Sequence, residues 1–187
     1  MSKIQIIQPE EATGRLKEIY DDLVSSRGKI AEVHKIQSLR PESIVKHMDL
    51  YMEIMFTKSE LSRAEREMIA VVVSASNKCN YCQIHHAEAL KHYWKNDEKV
   101  NQLREDYRLV DLTEKELALC TYADHLTINP GGEMEGVSIE ALKEIGVSDN
   151  GVLDATLVIS YFNFVNRIVL SLGVNIETES GASGYKY

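Results

Sequence analysis

The chain has 187 residues, 44% hydrophobic and 27% charged, with a formal net charge of -8. That length suggests one domain, or two small repeats sharing a core, burying about 70% of the unfolded surface without disulfide staples. The acidic balance gives no nucleic acid or anionic membrane as partner. No apolar run reaches the roughly 18 residues that span a bilayer, and "MSKIQIIQPEEATG" lacks a signal-type apolar core, so the expected location is cytoplasmic.

Ten glycines and three prolines favour long helices over turn-rich sheet. From Glu10 to Val24, Leu16, Ile19, Tyr20 and Leu23 recur at helical spacing. After a loop around Gly28, "IAEVHKIQSL" reads as a helix ending before Pro41. "PESIVKHMDLYMEIMF" is a third helix, with proline well placed in its first turn. "LSRAEREMIAVVVSASN" opens on Ser62 and Glu65, a capping box, and its second half is apolar on almost every side, as in a helix buried by its neighbours. "NKCNYCQIHHAEAL" belongs to a helix running to about Trp94, and a polar stretch follows from Asn96 to Asp106. Thr113 and Glu116 form a second capping box, opening "EKELALCTYADHLTI", which stops at Pro130-Gly131-Gly132. "SIEALKEIG" is a short helix closed by Gly146, and "NGVLDATLVISYFNFVNRIVLSLG" is a long apolar one closed by Gly173. The tail beyond Ile176 reads as loose, or as lying on a partner subunit. No strand–turn–helix alternation or glycine-rich phosphate loop is present, so the fold class is an all-α helical bundle.

Three cysteines, Cys79, Cys82 and Cys120, are too few and too odd for a disulfide framework and point to redox chemistry or metal binding. On a helix, Cys79, Cys82 and His86 fall within an arc of about 60°, and Cys82 and His86 are stacked neighbours. An imidazole or a helix N-terminus lowers the pKa of a thiol. A disulfide needs its α-carbons about 4.4–6.8 Å apart, which an i,i+3 pair on a helix satisfies. Cys, Cys and His are also zinc ligands, so a non-catalytic metal-binding or oligomeric scaffold module stays open as the alternative. His85 and His92 read as solvated or capping residues, and Cys120 as a buried inert thiol. Glu67 reads either as a surface glutamate of the charged turn "RAERE" or, if its helix folds back over the next, as a carboxylate beside the thiols. Asn163, Asn166 and Arg167 satisfy one another or a neighbour and are assigned no chemistry.

Glu67, Cys79, Cys82 and His86, at intervals of twelve, three and four, resemble the signature of alkyl hydroperoxidase D in the carboxymuconolactone decarboxylase-like superfamily. The likeness extends over roughly residues 10 to 175, including "SYFNFVNRIVLSLGV", and is similar to the superfamily's peroxidase-related branch. It implies one all-helical domain over residues 1–187, an obligate homo-oligomer (trimer or hexamer), and reduction of hydroperoxides with an external dithiol or protein thiol as electron donor. Cys82 would be the peroxide-attacking thiolate. Cys79 would be the resolving thiol that meets the reductant, and Glu67 and His86 the proton relay. No cofactor or metal is expected on this reading. Where alkyl hydroperoxidase D has a second histidine between its cysteines, this chain has Tyr81, which donates a hydrogen bond but is a poor base at pH 7. The decarboxylase branch lacks the cysteine pair.

Overall fold

A computed structural model describes residues 2–131 and 139–176. Among them every regular element is helical: α1 (Gly14–Arg27), α2 (Glu32–Lys35), α3 (Pro41–Phe56), α4 (Arg63–Ser76), α5 (Asn80–Trp94), α6 (Asp97–Glu105), α7 (Glu114–Ile128), α8 (Ile139–Glu144) and α9 (Asp149–Leu172), with a 3-10 turn at Tyr107–Leu109. The tail beyond Ile176 lies outside the described residues.

Both capping boxes form. Glu65 N–H donates to Ser62 Oγ (3.2 Å) while Ser62 N–H donates to Glu65 Oε2 (2.6 Å). Thr113 and Glu116 make the same reciprocal pair at 3.2 and 2.9 Å. Each box satisfies two N–H groups that a helix start leaves without partners. α4 is the central element: Arg66 through Ser74 are buried without a break, against α5, α6, α7 and α9.

Three boundaries differ from the sequence reading. α1 begins at Gly14 rather than Glu10, because Gly14 takes φ +52, a conformation that interrupts a helix, and Glu11 and Ala12 close a separate turn on Gln8 and Pro9. α2 is one turn long, and the chain then tightens through i→i+3 bonds from His34 to Arg40. The stretch after Asn96 is a helix, not merely polar chain. Asn96 Oδ1 caps it by accepting from Lys99 N–H (3.0 Å), and Val100 and Leu103 are its buried anchors.

α9 corrects another expectation. It is long and apolar enough to cross a membrane by length and composition. Its scattered Ser and Asn residues break the apolar run while leaving the average high. It packs against α3, α4, α7 and α8, burying Val158, Ile159, Phe162 and Val165 among others.

The apolar residues fall into two clusters. The larger joins α4 through α9 with Ala31, Val33 and Met55. The smaller ties α1 to α3 through Leu16, Ile19, Tyr20, Leu23 and Ile44.

Candidate active site: a buried dithiol beside an aromatic cavity

Lys78 adopts φ +57, and Cys79 N–H reaches back to Ser74 O (2.8 Å), so the chain reverses sharply between α4 and α5. The reversal lays α5 along α4 and makes Cys79 the N-cap of α5. Glu67 thereby meets His86, with Glu67 Oε2 2.6 Å from His86 Nδ1. Arg63, one turn before Glu67, donates from Nε to Glu67 Oε1 at 3.0 Å and from Nη1 to Met55 O at 3.1 Å. Its guanidinium covers the Phe56 ring at 3.7 Å.

Glu67 is 0% exposed, which decides against a surface glutamate. Burial pushes its carboxyl up, but His86 and then Arg63, by charge and hydrogen bond, outweigh burial and hold it below the usual carboxylate range. With Glu67 ionised, His86 Nδ1 is the donor. In the neutral ring that leaves Nε2 as an acceptor. The His86 ring sits edge-on to Phe162, centroids 4.4 Å apart.

The three cysteines are free and buried, with Cys79 0% and Cys82 2% exposed. The Cys79 and Cys82 thiols are close enough to share a hydrogen bond. That bond from the Cys82 thiol holds Cys79 below the usual thiol range against burial, helped by the Cys82 amide and His85. Cys82 is pushed well up by the same bond, by burial and by the Cys79 charge, and Asn166 pulls it down by hydrogen bonding. The easier ionisation of the pair therefore belongs to Cys79, whereas the neighbouring imidazole suggested Cys82. Cys120 is deeply buried, and burial, then Glu116 and Asp124, push its thiol far up.

Asn166 is a contributor to which the sequence reading assigned no chemistry. It is fully buried on α9. Its Oδ1 accepts from Asn77 Nδ2 (3.0 Å) and its Nδ2 donates to Ser74 Oγ (3.2 Å), which fixes the amide orientation. The other Nδ2 proton is the one that serves Cys82. The signal was available: an asparagine on the apolar side of a buried helix must find partners. Asn77 also donates to Asn163 Oδ1 (3.0 Å), and Arg167 donates to Asn163 Oδ1 (2.7 Å), so these polar residues do satisfy one another and a neighbour.

Cys82 and His86 line a cavity of about 80 Å³, together with Tyr51, Tyr81, Tyr161, Phe162, His34, His47 and His85, and with Arg27 and Lys29. Cys79 is not on its wall. Tyr81 stacks on His85, centroids 4.2 Å apart, and its hydroxyl accepts from Val33 N–H (3.4 Å), facing α2. His85 thus belongs to the cavity rather than to solvent, while His92 is exposed. Among the described residues no three His, Cys, Asp or Glu side chains are grouped so as to hold a metal ion.

Residues 44–125 match the Carboxymuconolactone decarboxylase family. The match covers less than half of the chain and includes Glu67, Cys79, Cys82 and His86, the residues that carry the resemblance. The structure is similar to an alkylhydroperoxidase AhpD core, an uncharacterized peroxidase-related protein from Ralstonia eutropha JMP134, with TM-score 0.84 and 23% identity over 95% of this chain and 93% of that one. It is also similar to an uncharacterized peroxidase-related protein from Silicibacter sp. TM1040, with TM-score 0.79 and 26% identity over 94% of each chain. The debrominase Bmp8 shares the fold, with TM-score 0.76 and 19% identity over 94% of this chain and 92% of that one.

Proposed function

We propose that the protein is a thiol-dependent peroxidase, a disulfide oxidoreductase that reduces hydroperoxides through Cys82 and Cys79. The observation that carries this reading is that the cavity is lined by one cysteine of a hydrogen-bonded thiol pair, on the wall where the Glu67-backed His86 stands. The peroxidase-related names of two structural relatives agree with it.

In the oxidative half, the Cys82 thiol gives its proton to His86 Nε2, and Asn166 stabilises the thiolate. The thiolate attacks the terminal oxygen of ROOH: an S–O bond forms, the O–O bond breaks, and RO⁻ leaves to take the proton from His86 as ROH. Sulfur is oxidised to a sulfenic acid by the two electrons the peroxide gains. Cys79, the more readily ionised partner, then attacks the Cys82 sulfur, releasing water and closing the Cys79–Cys82 disulfide.

An external dithiol resets the pair by exchange. Sequence reasoning assigned the meeting with that reductant to Cys79, but Cys79 is fully buried while Cys82 faces the cavity. In our reading the reductant attacks Cys82 and expels Cys79, whose lowered pKa makes it the better leaving group.

We place the chain in a homo-oligomer, trimer or hexamer, in the cytoplasm. Leu153, Leu157 and Phe164 are exposed within an arc of about 40° on α9, an apolar face suited to a second copy.

The test is peroxide consumption with dithiothreitol as donor. Cys82→Ser abolishes turnover; Cys79→Ser undergoes a single oxidation to a Cys82 sulfenic acid and forms no Cys79–Cys82 disulfide. Wild-type turnover by Cys82→Ser would sink the mechanism.

A further inference from the structure

His47, on α3, is 4% exposed and lines the same cavity as Cys82, yet no motif points to it. Its ring is fixed on three sides by aromatic edges: His34, Tyr161 and Phe164 lie at centroid distances of 5.2, 5.6 and 5.9 Å. Its Nδ1 is 2.8 Å from Gln37 Nε2, and that amide nitrogen is also 2.8 Å from Val33 O. A backbone carbonyl only accepts, so the group facing it is the amide NH2, and an exchanged amide would set oxygen against oxygen. An amide nitrogen has no lone pair to offer, so its second proton goes to His47 Nδ1, which must be unprotonated. The proton of the neutral ring therefore sits on Nε2. Burial also keeps the ring from charging, pushing its pKa down to about 4.

The protonated nitrogen of the cavity-lining His47 is thus Nε2, a donor, while His86 offers the opposite arrangement, an acceptor Nε2 backed by a carboxylate. A hydroperoxide needs such a donor at one atom, the oxygen that becomes RO⁻ when the O–O bond breaks. We infer that His47 is a substrate-contacting residue whose Nε2–H holds the leaving oxygen of the hydroperoxide, with Gln37 as the positioning residue that sets its tautomer. A neutral imidazole is far too weak an acid to surrender this proton. His47 stabilises the departing alkoxide, and the proton that completes ROH comes from His86. The inference rests on the peroxidase reading and adds to it the group that handles the leaving atom.

The experiment compares stopped-flow oxidation of the reduced protein by tert-butyl hydroperoxide and by peracetic acid, whose leaving group is a weaker base and depends less on a donor. In His47→Leu, oxidation by tert-butyl hydroperoxide falls about 100-fold, the usual cost of an oxyanion donor. Oxidation by peracetic acid falls far less, and reduction of the disulfide by dithiothreitol keeps its rate. His47→Gln, which returns an N–H donor near the same place, recovers most of the loss. Equal loss with both oxidants, or in both half-reactions, would make His47 a packing residue and overturn the assignment. Nitrogen-15 shifts of the ring at pH 7, read with no substrate present, show the Nε2–H form in the wild type. An Nδ1–H ring would overturn the inference even if Cys82→Ser confirms the thiol chemistry.

Discussion

Two of the imidazoles that line the cavity, His86 and His47, stand on different walls and are built to opposite ends. On the α4–α5 wall, His86 leans on a buried carboxylate, so its Nδ1 donates and its cavity-side nitrogen accepts. On the α3 wall, His47 leans on a primary amide, so its Nδ1 accepts and its Nε2 donates. The same side chain becomes an acceptor or a donor according to the atom placed behind it. Residue type alone says little about role; the partner decides the tautomer.

The largest test of that contrast removes the carboxylate. Glu67→Ala leaves Arg63 without its counter-charge and His86 Nδ1 without its acceptor, and breaking a buried ion pair costs about 3–5 kcal/mol. Urea unfolding at pH 7 measures it, and a loss under 1 kcal/mol would mean that Glu67 is not held as a buried anion.

Acid gives the next effect and separates the walls by pH. The folded-state pKa of His47 lies below its unfolded value, so the unfolded chain takes up the proton first. Stability is complete above pH 6.5 and drains away toward pH 4, by about 3 kcal/mol for a shift from 6.5 to about 4. Glu67, also held low, keeps its contribution above its unfolded value of 4.5 and loses it only as pH falls further. Unfolding free energy therefore slopes between pH 6.5 and 4.5 before the carboxylates titrate, and His47→Gln flattens that slope. An unchanged slope would assign it to another histidine.

The smallest effect comes from the amide. Gln37→Leu leaves Nδ1 of a buried ring without its donor, a cost of about 2 kcal/mol, and lets both tautomers of His47 form. The destabilisation is read by urea unfolding, and the mixed tautomers by nitrogen-15 shifts. A ring still wholly Nε2–H would show that something other than Gln37 sets it.

The α4–α5 wall was legible in the sequence because its parts are local. A capping box announced α4, and two cysteines, a histidine and a glutamate fall within twenty residues joined by a single reversal. Its reversal was legible only as a condition, since a left-handed Lys78 leaves no glycine to mark it. The α3 wall gave no such signal. Gln37 and His47 stand on either side of the break at Pro41, and the bond between them depends on how the short α2 and α3 pack, not on spacing along one helix. α6 went unread because Val100 and Leu103 alone carry its apolar face, amid charged residues that also suit a loop. The order in which the two thiols ionise was hidden for a different reason. His86 spends its Nδ1 on Glu67, and the two thiols, packed together away from water, settle the first proton between themselves.

The hairpin through Lys78 has a consequence for motion. Contacts closed across a few residues form early in folding and persist while more distant ones come and go. The sulfurs, Glu67 and His86 belong to that local unit, whereas His47 is carried by α3, which shares Ile44 with the small cluster and Met55 with the main one. α2 and α3 are nonetheless pinned to the reactive wall at two points, Val33 N–H on the Tyr81 hydroxyl and Met55 O on Arg63, so the chamber's shape is set by two bonds that cross from one part of the architecture to the other.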